Sequence, residues 1–260
     1  MLSLPLPLLL LLSLSTSATD PDGAPVRLRD VGAAQELVAS AEVVVVGFFK
    51  EDGGQGFQEF LSVASRLQTL PFALCSEPEV WQLYNITGDT VSIFRQTDSH
   101  QENLQLQERM KIDSDGLTRF IRTNELYYLT EYNDMTAVGL FSSPVRAHLL
   151  LLADKRSAGF AQLRELLRAL APQYRGQLLF VLIDGAVSSN RRSLEYFGLK
   201  SHDLPAVGLY DTQTDRKWLM QAQEVTTEHV QEFCYSYLRG DLQEQNDPPT
   251  SAATHSKSEL

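Results

Sequence analysis

The sequence predicts an α/β protein built as two units in tandem, and three observations predict it. Short apolar runs rich in β-branched residues alternate with segments whose apolar residues recur at helical spacing, the pattern of helices packed on central sheets. The same order of segments occurs twice, offset by roughly a hundred residues, as an internal repeat. Of the 260 residues, 43% are hydrophobic, enough for packed cores.

The first eighteen residues stand apart. Leu4 to Leu14 is nearly all leucine, broken by Pro5, Pro7 and Ser13, and small residues follow from Ser15 to Ala18. An apolar core followed by a small-residue cleavage zone is the signature of a secretory signal peptide, expected here over residues 1–18 with Ala18 the last residue removed. The run is short of the ~20 residues a membrane span needs. No later segment is apolar enough either, so a soluble mature chain with no membrane span is expected.

In the first unit, Glu42-Val-Val-Val-Val-Gly-Phe-Phe49 reads as a buried strand. Phe57, Phe60, Leu61, Ala64 and Leu67 mark a helix face, Phe72 to Cys75 a short strand, and Glu79 to Tyr84 a helix. Val91 to Phe94 is the next strand, and Leu117, Phe120 and Ile121 mark a closing helix. The second unit repeats this order. His148 to Leu152 is its buried strand, and Phe160, Leu163, Leu167 and Leu170 its helix face. Leu178 to Ile183 is a strand, Arg192 to Phe197 a helix, and Pro205 to Leu209 a strand. Val230, Phe233, Cys234, Tyr237 and Leu238 form the stripe of an amphipathic last helix.

The order and spacing resemble the thioredoxin fold, and the detail resembles the protein disulfide isomerase family. Leu126 to Gly139 (LYYLTEYNDMTAVG) is similar to the family's junction between its two non-catalytic middle domains. Gly176 to Asp184 (GQLLFVLID), Leu194 to Lys200 (LEYFGLK), Leu204 to Val207 (LPAV) and Glu232-Phe-Cys234 resemble the second of these, and Tyr84 with Val91 to Arg95 (VSIFR) the first. The resemblance implies two tandem thioredoxin-like domains of the non-catalytic b and b' types, at 26–126 and 127–240. The polar segment 241–260, with Pro248-Pro249, is expected to be a disordered tail.

Thiol chemistry is not expected. Disulfide exchange needs an attacking thiolate and a nearby resolving thiol. Only Cys75 and Cys234 are present, one in each unit, and they read as buried apolar thiols. The loops where the family's redox pair would sit, Phe49 to Gly54 and Ala153 to Ser157, hold no cysteine, although Pro205 falls at the position of the family's cis-proline. Five scattered histidines give no metal-ligand spacing, and neither G-x-S-x-G nor a phosphate-binding loop occurs, so no cofactor is expected. A net charge of −11 argues against nucleic acid.

What remains is binding. The resemblance implies an apolar pocket in the second domain for unfolded or misfolded polypeptides, carried here by Tyr132, Phe141, Val181 and Tyr196. Val181 reads equally well as core, while the phenols of Tyr132 and Tyr196 suit a rim. One two-domain member of the family recruits the catalytic isomerase that works with calnexin and calreticulin, through an acidic stretch around a tryptophan. The corresponding stretch here holds Asp215, Arg216, Lys217 and Trp218, expected between the last strands. Arg216 and Lys217 replace acids and would face a basic partner with like charge. Asn85-Ile86-Thr87 is an N-glycosylation sequon. Lys257-Ser258-Glu259-Leu260 resembles the tetrapeptide read by the retrieval receptor of the endoplasmic reticulum lumen. The rival reading is a low-affinity calcium store of the calsequestrin type. That needs dense carboxylates, and the tail holds only Asp241, Glu244, Asp247 and Glu259.

Overall fold

The computed structural model describes residues 24–106, 112–221 and 224–242. The expected signal peptide at 1–18, nearly all of the expected tail, and the expected retrieval residues Lys257, Ser258, Glu259 and Leu260 lie outside the described residues.

The chain first forms β1 (Val26–Leu28), α1 (Val31–Ser40), β2 (Val43–Phe48), α2 (Phe57–Arg66), β3 (Phe72–Cys75), α3 (Pro78–Leu83), β4 (Thr90–Arg95), β5 (Gln101–Gln105) and α4 (Ser114–Asn124). Their strands make one sheet in the order β1-β3-β2-β4-β5, with β1, β3 and β2 parallel and β4 and β5 antiparallel. Then follow β6 (Thr130–Glu131), α5 (Thr136–Ser142), β7 (Ala147–Ala153), α6 (Phe160–Leu170), β8 (Leu179–Asp184), α7 (Arg191–Tyr196), β9 (Ala206–Asp211), β10 (Arg216–Leu219) and α8 (Thr227–Arg239). The second sheet, β6-β8-β7-β9-β10, has the same order and the same strand directions as the first.

Each central strand is buried throughout, as an unbroken apolar run requires when both faces are covered. The period of two then sorts its side chains. In β2, Val43 and Val45 meet α2 and α4, while Val44, Val46 and Phe48 meet α1 and α3. In β7, Leu149 and Leu151 meet α6 and α8, and Leu150 and Leu152 face α5 and α7. Side-chain caps start three helices: Asp30 accepts from the Ala33 N–H at 2.8 Å, Asp113 from Gly116 at 2.7 Å and Thr226 from His229 at 3.2 Å. Gly240, left-handed at φ +77°, closes α8.

Every strand and helix expected from the apolar pattern is present to within a residue or two at its ends. The expectation for residues 214–218 is corrected. They do not lie between strands, because Arg216–Leu219 is itself β10, pairing with β9 from Leu219–Gly208 to Arg216–Asp211.

Candidate functional site

The site lies on the α5/α7 side of the second sheet. β7 and β8 supply its floor, because their alternate residues Leu150, Val181 and Ile183 point to that side. α5 brings Leu140 and Phe141 over one edge, and α7 brings Tyr196 and its flanking Phe197 over the other. Between them is a cavity of about 240 Å³. That is below the ~300–1,000 Å³ of sites for drug-sized ligands, and it suits one or two side chains.

The cavity exists partly because this face is covered less than its counterpart in the first sheet. There α1 runs ten residues and Phe48, Trp81, Tyr84 and Phe94 fill the space, with Tyr84 and Phe94 at a 4.7 Å ring separation. In the second half the covering helix α5 has seven residues, roughly 4.5 Å less.

The rim is apolar and open. Phe141 is 48% exposed and Tyr196 39%, on opposite edges of the cavity, and Val138 is exposed on the same helix as Phe141. Isolated exposed apolar residues are ordinary, but a contiguous group around a cavity marks an interaction site. The polar groups at the mouth largely satisfy one another. Tyr196 donates its hydroxyl to Asp215 Oδ1 at 3.1 Å, and Tyr210 donates to the same oxygen at 3.0 Å. Lys217 Nζ sits 4.2 Å from the Tyr196 ring centroid and donates to the Tyr196 carbonyl. Burial, reinforced by the Asp215 hydrogen bond, pushes the Tyr210 phenol up.

One polar atom in the wall is unsatisfied. His148, only 3% exposed, has no hydrogen-bond partner for Nε2. Its ring lies 5.9 Å from that of Phe141 and 6.5 Å from that of Tyr210, centroid to centroid. Burial holds its pKa down at about 4, against a smaller upward pull from the Val145 and Leu140 carbonyls. The imidazole is therefore neutral at pH 7.

Tyr132, Phe141, Val181 and Tyr196 all line this one cavity, Val181 as buried floor and Tyr196 as exposed rim. His148 and Tyr210 line it too and were not singled out from sequence. Strand alternation places His148 on the face of Leu150, and the register sets Tyr210 opposite it; that signal was there to be read. Residues 215–218 do not form one surface. Asp215 and Lys217 belong to the mouth of the cavity, Arg216 is exposed, and Trp218 is 7% exposed in the core on the α6/α8 side, its ring 5.3 Å from that of Tyr237. Lys217 and Trp218 point to opposite faces because β10 alternates its side chains, so Trp218 packs into the core rather than onto the partner stretch.

The two thiols are remote from the cavity chemistry. Cys75 is in β3 of the first sheet and Cys234 in α8 against the far face of the second, both buried and free. Burial pushes Cys234 up to about 12 and Cys75 upward as well. The Leu204–Pro205 bond is cis. Among the described residues no cluster of three or more His, Cys, Asp or Glu is placed to hold a metal, and no helix is long and apolar enough to cross a membrane. Asn85 is exposed, at φ +56°.

Comparison with known proteins gives a consistent family. The sequence profile of a thioredoxin-like domain matches residues 49–236. Endoplasmic reticulum resident protein 27 of Bos taurus is 38% identical over 231 residues, covering 88% of this chain and 85% of that one. Its Homo sapiens counterpart is 36% identical, covering 85% and 81%. Protein disulfide-isomerase of Gallus gallus is 32% identical over 84% of this chain, which spans only 42% of that longer protein.

Proposed function

The chain belongs to the thioredoxin-like family of endoplasmic reticulum resident protein 27 and the protein disulfide isomerases, and from that premise we propose that it binds unfolded polypeptide in the cavity between α5 and α7, with no thiol chemistry of its own. It is a protein of the endoplasmic reticulum lumen. In this reading residues 26–126 and 127–240 are two thioredoxin-like domains of the b and b' types, the second holds the client site, and Lys257–Leu260 is the retrieval signal.

The observation that carries the proposal is the apolar floor joined to an exposed aromatic rim: Leu150, Val181 and Ile183 below, Phe141 and Tyr196 above. Such a surface gains free energy from almost any aliphatic or aromatic side chain. The mouth groups Asp215, Lys217 and Tyr196 are engaged with each other, so they impose little charge preference. A folded protein keeps its apolar side chains inside, which leaves unfolded chains as the natural ligands. Two separated, buried thiols with raised pKa values cannot attack and resolve a disulfide. Recruitment of a catalytic isomerase through Asp215–Trp218 is not part of this reading, because Trp218 lies in the core.

The test is fluorescence anisotropy of the full chain against a labelled destabilised protein and its stable folded parent. Binding of the unfolded form is expected on the order of micromolar, about −8 kcal/mol, since ordering a flexible chain offsets part of the burial. Phe141→Ala should weaken it roughly tenfold, about 1.4 kcal/mol, with circular dichroism unchanged. Equal affinity for the folded parent, or undiminished affinity in both Phe141→Ala and Tyr196→Ala, sinks the proposal.

A further inference from the structure

A second concave site lies in the first half of the chain, at the end of α3. It is a hollow of about 680 Å³, lined by Trp81, Pro78, Ile86, Lys50, Gln82 and, at its edge, Asn85 with Thr87. Its lining is amphipathic: an indole edge, a proline and an isoleucine beside an ammonium and an amide.

Asn85 is placed there by the helix end. The Asn85 N–H bonds the Gln82 carbonyl at 3.2 Å, and the Ile86 N–H bonds the Trp81 carbonyl at 2.8 Å, which closes α3. The chain then turns through a left-handed Asn85 at φ +56°, a conformation asparagine tolerates better than most residues. The Asn85 side chain is exposed and opens a sequon, Asn85-Ile86-Thr87, with no proline at its centre. Beside it, a Cβ built on Gly88 meets no atom within 4 Å. Trp81 is fixed in place, since its Nε1 donates to the Cys75 carbonyl at 3.1 Å.

We propose that Asn85 carries an N-linked oligosaccharide whose first sugars rest in the Trp81 hollow. The donor is an oligosaccharide attached through a diphosphate to a lipid. Asn85 Nδ2 displaces the diphosphate from the anomeric carbon. A C–N bond forms, the sugar C–O bond breaks, the lipid diphosphate leaves with the bonding pair, and the amide loses one proton to solvent. No electrons are exchanged with any other reactant. Transfer takes place on the entering chain before it folds, so the fold has only to leave the modified amide outside, as the exposed Asn85 does. Covalent attachment at the lip of the hollow fixes which ligand fills it. The sugar's C–H groups suit Pro78 and the accessible edge of Trp81, and its hydroxyls suit Lys50 and Gln82. The proposal needs only that the chain enters the lumen, and it stands whether or not the α5/α7 cavity takes clients.

The experiment uses the full chain expressed in mammalian cells and purified from the cell lysate. Intact-mass analysis should show a glycan that is absent in Asn85→Gln and Thr87→Ala and retained in Thr87→Ser, which also guards against misfolding of a single variant. An unmodified Asn85 in the wild-type chain overturns the site. On modified protein, isotope-filtered NMR should show nuclear Overhauser contacts between the N-acetyl methyl of the first sugar and the Trp81 indole protons, with none to Trp218 as the internal control. Full modification without contacts to Trp81 overturns the seating of the sugars.

Discussion

His148 shows how a single side chain can be tuned by the site it lines. It sits mid-sheet with Nε2 unsatisfied and its pKa held at about 4 from an ordinary 6.5, because a charged imidazole would lose its hydration against Phe141, Leu150 and Tyr210. The unfolded chain takes up this proton as pH falls through 6.5, and the folded chain does so only near 4. Between those values the unfolded state binds more protons, so stability is complete above pH 6.5 and is lost as pH falls toward 4. For a side chain buried this deeply the loss is at most about 3 kcal/mol, at ~1.4 kcal/mol per pH unit. Urea midpoints measured between pH 7 and 4 should fall in the wild type and fall clearly less in His148→Leu. Parallel curves for the two proteins would show that the acid sensitivity arises elsewhere.

At the scale of elements, α5 is the part on which the cavity depends, and Gly139 fixes its position. A Cβ at Gly139 would come 2.1 Å from the Thr123 carbonyl oxygen at the end of α4, far inside any real contact. Alanine favours a helix interior over glycine by ~1 kcal/mol, but forcing α5 off a backbone atom costs more, by the ~1–3 kcal/mol or above of overpacking. Gly139→Ala should therefore destabilise the protein by about 2 kcal/mol, read as a lower urea midpoint. It should also weaken binding of unfolded polypeptide, because Phe141 rides on the displaced helix. A stabilised Gly139→Ala would mean that α4 and α5 are not in close register. α5 is also an element the sequence pattern did not announce. Seven residues, TAVGLFS, carry no polar face to set a period, whereas β2, β7 and β8 declare themselves by unbroken apolar runs. β5 (QENLQ) and β10 (RKWL) were hidden for the opposite reason, since edge strands need little apolar content. β1 and β6, of three and two residues, are too short to show alternation. α1 had a readable start in Asp30, whose cap precedes Ala34 and Leu37 at helical spacing. The cavity itself was legible only through resemblance for Tyr132, Phe141, Val181 and Tyr196. No periodicity in one segment reveals that residues from four elements converge.

For the whole molecule, the open question is whether the two sheets act as one folding unit. Several polar contacts cross between them. The Arg95 guanidinium pairs with the Asp98 carboxylate at 2.8 Å, both deeply buried, and Ser143 at the end of α5 donates to the same Asp98 oxygen at 2.8 Å. Glu42 accepts from the Tyr128 N–H at 2.7 Å and pairs with Arg168. The Gly176 N–H reaches the Thr97 carbonyl at 3.0 Å. Leu126, just after α4, is fully buried in the core on the α5/α7 side, so the end of α4 is anchored across the junction. An intact buried network of this kind is costly to break, because each group left unpaired keeps its desolvation penalty of ~1–3 kcal/mol. The two tryptophans fall one to each half, Trp81 in α3 and Trp218 in β10. Single-tryptophan variants, Trp218→Phe and Trp81→Phe, therefore report each half separately. Their urea transitions are expected to coincide in the otherwise native chain and to separate once Glu42→Ala and Ser143→Ala remove the Tyr128, Arg168 and Asp98 bonds across the junction. Transitions already separate with the junction intact would show that each sheet folds alone, and that the Asp98–Ser143 contact orients α5 without coupling the stability of the cavity to the first half.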